Sequence, residues 1–140
     1  MKNPSGNLPD YIHRLRRLSP FMEKAEIKVV SICSNGAVLS MYVDPAVHFS
    51  HRGSCHDAVL SSFAVTALEM TGAGVGKDVS VMDFSITMNH PMTKAGYIEA
   101  STRIRHNGKT TMVIEAEIRS RDDHSLLAAV LATMLVHPAR

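Results

Sequence analysis

Cys55, His56 and Asp57 stand together just before a long apolar segment, and their side chains could act as nucleophile, base or helix cap. A cysteine beside a histidine raises the hypothesis of thiolate catalysis, because the thiolate is the nucleophilic form of the side chain. His56 could instead orient a reacting group or cap the helix, and Asp57 is a residue type favoured as a helix N-cap. These residue types alone leave the structural and the chemical interpretations open.

A polar line continues from Asp57 along the apolar segment. Ser61, Val65 and Glu69 follow at intervals of four residues, so all four share one side of a helix. A glutamate on an otherwise apolar, buried helix is unfavourable unless it is paired, and such groups often mark functional sites. A glutamate near a helix end can also reach solvent or a lysine. Glu69 is therefore a candidate catalytic residue, and the alternative is a glutamate that only reaches solvent or pairs with a lysine.

The apolar segment must hold these residues in place. Its apolar residues cover nearly every direction of a helix: Ala58, Val59, Leu60, Phe63, Ala64, Val65, Ala67, Leu68 and Met70. A helix of this kind is buried on most sides. The 140 residues suit a single domain, 1–140. We therefore predict one central helix over residues 56–71, surrounded by a sheet and ended by Gly72, Gly74 and Gly76.

Six strand-like runs can form that sheet, at residues 25–33, 37–43, 78–89, 97–106, 110–120 and 126–136. Hairpins are indicated at Asn35-Gly36 and Asn107-Gly108, because both residue types tolerate positive φ. A change of alternation at Met82-Asp83 predicts a bulge. A short amphipathic helix is predicted at residues 9–18, after a disordered segment 1–8. This order predicts an α+β hotdog fold, in which a curled antiparallel sheet wraps around one long helix.

At this point the sequence resembles a known family. Residues 50–58 read SHRGSCHDA and resemble the PaaI-type thioesterase motif N-x-x-G-x-x-H-G-G, which leads into the central helix. Residues 79–91, VSVMDFSITMNHP, resemble the third strand of that family and its terminal proline. Gly96, residues 106–109 and residues 126–133 match its later landmarks in order. The chain is thus similar to hotdog acyl-CoA thioesterases of the PaaI and 4-hydroxybenzoyl-CoA thioesterase type, with a diverged catalytic motif.

The resemblance implies a substrate, an assembly and a mechanism. The substrate would be an acyl-CoA thioester, so coenzyme A would enter as part of the substrate and no separate cofactor is expected. The protein would be a homodimer or a dimer of dimers, with sites shared between subunits. The backbone N–H of Asp57 would polarise the thioester carbonyl, since free N–H groups at a helix start favour an anion. His56 would orient the loop or the carbonyl.

Further positions take roles from the same resemblance. Ser50 and Gly53 occupy the asparagine and glycine positions of the motif and would contact substrate. Ser80 coincides with a serine or threonine that holds the attacking water in some members. Asn107 and Lys109 lie at a hairpin where basic residues meet CoA phosphates, and Arg103 and Arg105 are weaker candidates there. Ser61 and Val65, between the two ends of the polar line, would line the substrate.

The chain departs from the family at the catalytic carboxylate, which falls nine residues after the motif histidine and is Val65 here. Valine can serve neither as base nor as nucleophile. Glu69, about 6 Å further along the helix, and Asp57 are the candidate replacements, although the family has glycine at the position of Asp57. The family also has a small apolar residue where this chain has Cys55, which argues against thiolate catalysis.

Three functions follow as alternatives. The first is an active thioesterase with a displaced carboxylate, and the second is a non-catalytic hotdog protein that binds acyl-CoA. The third is a hotdog dehydratase, indicated by His48-Phe49 followed by residues 58–60, although its helix glutamate would fall at Ser62.

The composition argues against several other classes of function. The net charge is only +2, and the basic cluster Arg14, Arg16 and Arg17 has no interleaved aromatic residues, which argues against nucleic acid. No apolar run reaches the roughly 18 residues of a spanning helix, and the N-terminus lacks signal-peptide features. Two cysteines in apolar segments favour reduced thiols and a cytoplasmic location. The eight histidines are scattered without ligand spacing, so no metal site is expected.

Overall fold

Six antiparallel strands form one sheet in the computed structural model, which describes residues 19–138. The strands are β1 (Lys28–Cys33), β2 (Gly36–Val43), β3 (Val79–Met88), β4 (Gly96–Asn107), β5 (Thr111–Ser120) and β6 (Leu126–Val136). The helices are α1 (Pro20–Lys24), α2 (Pro45–His48) and α3 (Asp57–Gly74). The strand order in the sheet is β1-β2-β4-β5-β6-β3, so β1 and β3 form its edges.

The central helix α3 lies against the inner face of this curled sheet and supplies the core. Phe63 and Leu68 are fully buried, and they share the core with the inward-facing residues Leu39, Ile98 and Ile114 of three different strands. Burying one such side chain contributes about 1.5–3 kcal/mol. The predicted central helix, apolar on most sides, is therefore confirmed, and so is the hotdog arrangement that it required.

The helix ends three residues later than predicted, at Gly74. A Cβ atom on Gly72 would lie 2.4 Å from a methyl group of Val79, and one on Gly74 would lie 2.6 Å from the Ile32 side chain. The glycines therefore let neighbouring strands approach the last turn closely instead of ending the helix. Only Gly76, with φ +77°, lies beyond it in the left-handed region.

The two predicted hairpins form, but not by the predicted turn chemistry. Asn35, Gly36, Asn107 and Gly108 are not among the described residues with positive φ. Gly36 is the first residue of β2, and a Cβ there would lie 2.1 Å from the Thr102 carbonyl oxygen. Packing against β4 therefore explains this glycine, and the turn itself does not.

Other boundaries follow from local capping. Helix α1 begins at Pro20, where the Ser19 hydroxyl accepts a hydrogen bond from the Met22 N–H (3.3 Å). Strand β1 consequently starts at Lys28, three residues later than predicted. The predicted bulge is confirmed by a register shift between Val81 and Asp83. The predicted helix at residues 9–18 and the predicted disorder at 1–8 lie outside the described residues.

Within residues 19–138, no helix combines the length and the apolarity that crossing a bilayer requires.

Candidate active site

The start of α3 is capped by His56. Its Nδ1 accepts a hydrogen bond from the Ala58 N–H (3.0 Å), while its carbonyl accepts from Val59 and Leu60 (2.9 and 3.3 Å). Asp57 is therefore the first helical residue and not the N-cap, which corrects that structural interpretation. Its exposed carboxylate lies where the helix dipole favours negative charge, a contribution of about 0.3–1 kcal/mol.

The backbone N–H of Asp57 is the free donor at this helix start. Its neighbours Ala58, Val59 and Leu60 all donate to His56, but the Asp57 N–H donates no hydrogen bond within residues 19–138. A free N–H at the positive end of an 18-residue helix can stabilise an oxyanion. The resemblance assigns this N–H to the thioester carbonyl, and that role stays a prediction.

Ser50 and Gly53 shape the loop before the helix. The Ser50 hydroxyl accepts from the Arg52 N–H (3.2 Å), and the Ser50 carbonyl accepts from the Gly53 N–H (3.1 Å). Gly53 has φ +77°, and a Cβ there would meet open space, so backbone conformation alone explains this glycine. The loop is anchored where the Cys55 N–H donates to the Met92 carbonyl (2.8 Å).

Cys55 is buried, which decides against thiolate catalysis. Burial, and to a smaller extent the charge of Asp57, raises the pKa of its thiol to about 11. At neutral pH the side chain is a thiol, and only the thiolate is an effective nucleophile. The exposed thiol of the described chain is Cys33, on β1.

The predicted polar line is the uncovered side of α3. Asp57 and Glu69 are exposed, and Ser61 and Val65 are half-buried between them. The Ser61 hydroxyl donates to the Asp57 carbonyl (2.9 Å), so it is used within the helix. Asp57 and Glu69 are twelve residues apart, which is about 18 Å along the axis. In a single chain they cannot both contact one thioester group.

Glu69 lies at the far end of this line, near Asp78. Although the residue is exposed, neighbouring protein atoms remove part of the hydration of its carboxyl. This desolvation, together with the negative charge of Asp78, raises the pKa of Glu69. Glu69 therefore keeps its proton to a higher pH than an isolated glutamate.

Ser80 is the second residue of β3 and has a partner that sequence reasoning missed. Its neighbour Val79 packs against Gly72 of α3, so the Ser80 side chain lies on the other face of the sheet. The Ser80 hydroxyl oxygen is 2.7 Å from Nε2 of the His137 ring. The backbone N–H of His137 donates to the Asp78 carbonyl (2.8 Å). The two residues meet because β3 pairs with β6 and Ser80 lies opposite Leu135. His137 follows Leu135 by two residues, so its side chain is on the same face as that of Ser80. No local motif in the sequence signals this pair.

Asn107 and Lys109 lie with Lys77, at the end of α3 opposite His56. The Lys77 ammonium donates to Asn107 Oδ1 and to the Gly108 carbonyl (2.6 Å), so Asn107 is held by a lysine that follows the helix. The side chain of Lys109 is exposed. Within one chain the helix start and this hairpin are separated by the length of α3, about 25 Å.

Arg105 and Arg103 lie on β4. Arg105 pairs with Glu115 at 3.4 Å. Arg103 lines an open cavity of about 540 Å³, together with Cys33 and Thr102. Among residues 19–138, no three histidine, cysteine or acidic side chains are arranged to hold a metal ion.

Comparison with solved structures identifies the fold. The PaaI protein of the Escherichia coli phenylacetic acid degradation operon is 22% identical and matches with a TM-score of 0.87, covering 93% of each chain. A variant of a Staphylococcus aureus thioesterase enzyme is also 22% identical, with a TM-score of 0.79, over 86% of this chain and 100% of its own. A Streptococcus mutans protein bound to acetyl CoA is 18% identical, with a TM-score of 0.76, over 81% and 90%.

No family model and no curated protein matches the sequence. The chain has the hotdog fold of PaaI and of thioesterase-superfamily proteins, as the sequence predicted.

Proposed function

We propose that this chain hydrolyses an acyl-CoA thioester whose carbonyl is polarised by the Asp57 N–H. The observation that carries this proposal is the free N–H at the start of a buried helix, beside the capping His56. A donor of this kind contributes on the order of 3 kcal/mol to an oxyanion-forming transition state. Support comes from proteins of the same fold, of which one is described as a thioesterase enzyme and another is bound to acetyl CoA.

The site is proposed to lie between two copies of the chain. The helix start with Asp57 and the opposite end with Glu69 are too far apart to act on one thioester group within one copy. A two-fold axis that sets two α3 helices antiparallel brings the start of one helix toward the end of the other. Each copy would then supply Asp57 to one site and Glu69 to the other.

Strand β3 supports such an assembly. It is an edge strand of the described sheet, and its Met82 and Met88 are 55% and 38% exposed. An exposed edge with apolar side chains is a template for pairing with another chain. A second copy paired along β3 would cover these methionines and bring two helices together.

Two observations bear on the alternatives. Val65 is half-buried on the side of α3 that the sheet leaves uncovered. Because valine cannot activate water, this residue favours an acyl-CoA-binding protein without turnover as the second candidate. The Ser62 hydroxyl donates to the Ala58 carbonyl (2.8 Å), so the position that a dehydratase would need for its glutamate carries a backbone-bonded serine.

The test is hydrolysis of acetyl-, palmitoyl- and benzoyl-CoA, followed by the loss of thioester absorbance, for the wild type and for Glu69→Gln and Asp57→Asn. Hydrolysis by the wild type supports the proposal, and loss of activity in one variant identifies the carboxylate that replaces Val65. If no thioester is hydrolysed but the esters raise the melting temperature, the protein is a binder and the proposal fails.

A further inference from the structure

The inner face of β3 is only partly covered by the rest of the chain. Phe84 lies opposite Ala132, which is buried in the core, so the Phe84 side chain points toward α3. Ile86, two residues later, lies on the same face. Both are half-buried, whereas Ile114 on the inner face of β5 is fully buried. An apolar surface therefore remains on the α3 side of this edge strand.

The side of α3 next to this surface carries Val65 and Ser61. Gly72 on α3 packs against Val79, the first residue of β3. Val65 and Ser61 precede Gly72 by close to two and three helical turns, so they lie on the same side of α3 and also face β3. Both are half-buried. Between the two surfaces lies the α3–β3 groove, whose lining residues are Ser61, Val65, Phe84 and Ile86.

The strand and the helix run in opposite directions along this groove. Val79 begins β3 at the level of Gly72, near the end of α3. Beyond the other end of β3, the Met92 carbonyl accepts a hydrogen bond from the Cys55 N–H (2.8 Å), just before α3 begins. The groove therefore extends from the helix start, where the Asp57 N–H is free, along the inner face of β3.

Phe84 lies partway along the α3–β3 groove. The partners of Val79 and Phe84 on β6 are four positions apart, a separation of about 13 Å. On α3 about the same distance leads from Gly72 back to Phe63. Phe63 is about 9 Å along the helix from Asp57. A zigzag of about seven C–C bonds, each ~1.5 Å long, spans this distance.

We propose that the α3–β3 groove holds the acyl chain of the substrate and that Phe84 limits this chain to about eight carbon atoms. The inference rests on the proposed thioester hydrolysis and names its substrate class, a straight acyl chain of medium length. In the proposed assembly Asp57 of one copy approaches Glu69 of the other, so the two helices are level at Phe63, midway between these residues. The Phe84 side chains of both copies then lie near the two-fold axis and close the inner ends of both grooves.

A purely structural role for Phe84 would be an apolar contact between the two copies. Its removal would then weaken the assembly and leave the preference for chain length unchanged. The decisive measurement is kcat/KM on acetyl-, hexanoyl-, octanoyl-, dodecanoyl- and palmitoyl-CoA, with the assembly state of each variant measured by analytical ultracentrifugation. Phe84→Ala lengthens the groove and Phe84→Trp shortens it. Leu131→Ala is the matched control, because Leu131 is 55% exposed on the outer face of the sheet, opposite Ser85.

The wild type should hydrolyse octanoyl-CoA with a kcat/KM at least about 100-fold above that of acetyl-CoA, because each buried CH₂ group favours binding by about fourfold. Palmitoyl-CoA should be a poorer substrate than octanoyl-CoA. Phe84→Ala should move the optimum to dodecanoyl-CoA and raise the dodecanoyl-to-octanoyl ratio of kcat/KM by about 10-fold or more. Phe84→Trp should move the optimum to hexanoyl-CoA, and Leu131→Ala should keep the wild-type preference.

The same chain-length preference in Phe84→Ala and Leu131→Ala would overturn this inference and leave the proposed hydrolysis standing. A wild-type optimum at acetyl- or palmitoyl-CoA would do the same. If Phe84→Ala fails to fold, Phe84→Leu makes the same comparison with a smaller expected shift. Absence of hydrolysis of every ester would overturn the proposed function. The dissociation constants of the same esters, measured by calorimetry on the wild type and the variants, would then support or overturn the α3–β3 groove by the same ranking.

Discussion

Removing the cap of the central helix should separate the structural role of His56 from any chemical role. His56→Ala deletes the acceptor of the 3.0 Å bond from the Ala58 N–H and exposes that donor at the helix start. Loss of a side-chain N-cap typically destabilises a protein by about 1 kcal/mol, within a range of 0.5–2. For a domain of this size, we expect the melting temperature to fall by about 3–5 °C.

His56→Asn is the matched variant, because asparagine is among the strongest N-caps and can accept the same bond. Thermal unfolding followed by circular dichroism should place His56→Asn within about 1 °C of the wild type, a small fraction of the cap contribution. If His56 only caps the helix, both stability and thioester hydrolysis should recover in His56→Asn. Recovery of stability without activity would assign His56 a role at the carbonyl. Equal destabilisation by alanine and asparagine would refute the capping geometry.

Other variants test the remaining features. Because the folded-state pKa of Glu69 is raised, its ionisation opposes folding, and this penalty develops as pH rises from the unfolded value through the folded one. The melting temperature of Glu69→Gln should therefore gain on the wild type as pH rises above about 4, and a constant difference would contradict this. Met82→Glu should give a monomer in analytical ultracentrifugation, whereas Val47→Glu, at a 71% exposed residue of α2, should not; a dimer in both would exclude the β3 edge. Cys33 should react rapidly with a thiol reagent at neutral pH and Cys55 only on unfolding, which mass mapping of the labelled chain would check.

The architecture could be predicted because it follows from burial patterns that are local in sequence. The residues around Phe63 on α3 are apolar in nearly every direction, and in a domain of this size a surrounding sheet can bury such a helix. The bulge beside Asp83 could also be predicted, since one extra residue reverses the alternation. The reason for Gly36 could not, because it depends on a backbone oxygen of β4 more than sixty residues away.

Only those features of the candidate site that depend on residues close together in the sequence could be predicted. The residues from Asp57 to Glu69 lie on one side of α3, and this follows from their spacing alone. Which residue caps the helix depends on the backbone conformation of His56, which is extended (φ −62°, ψ 138°) and could not be read from residue type. The meeting of Ser80 with His137 depends on strand register, and local sequence does not contain it.

The most direct test of the central claim removes the Asp57 N–H alone. Asp57→Pro deletes that hydrogen at the first helical position, where proline is favoured. The extended backbone of His56 is also the conformation that a residue before proline adopts. Asp57→Ala is the control, because it removes the carboxylate and keeps the N–H. We predict that both variants fold and that Asp57→Pro hydrolyses acyl-CoA at least about 100-fold more slowly than Asp57→Ala. Equal rates in the two variants would contradict the assignment of the Asp57 N–H to the oxyanion.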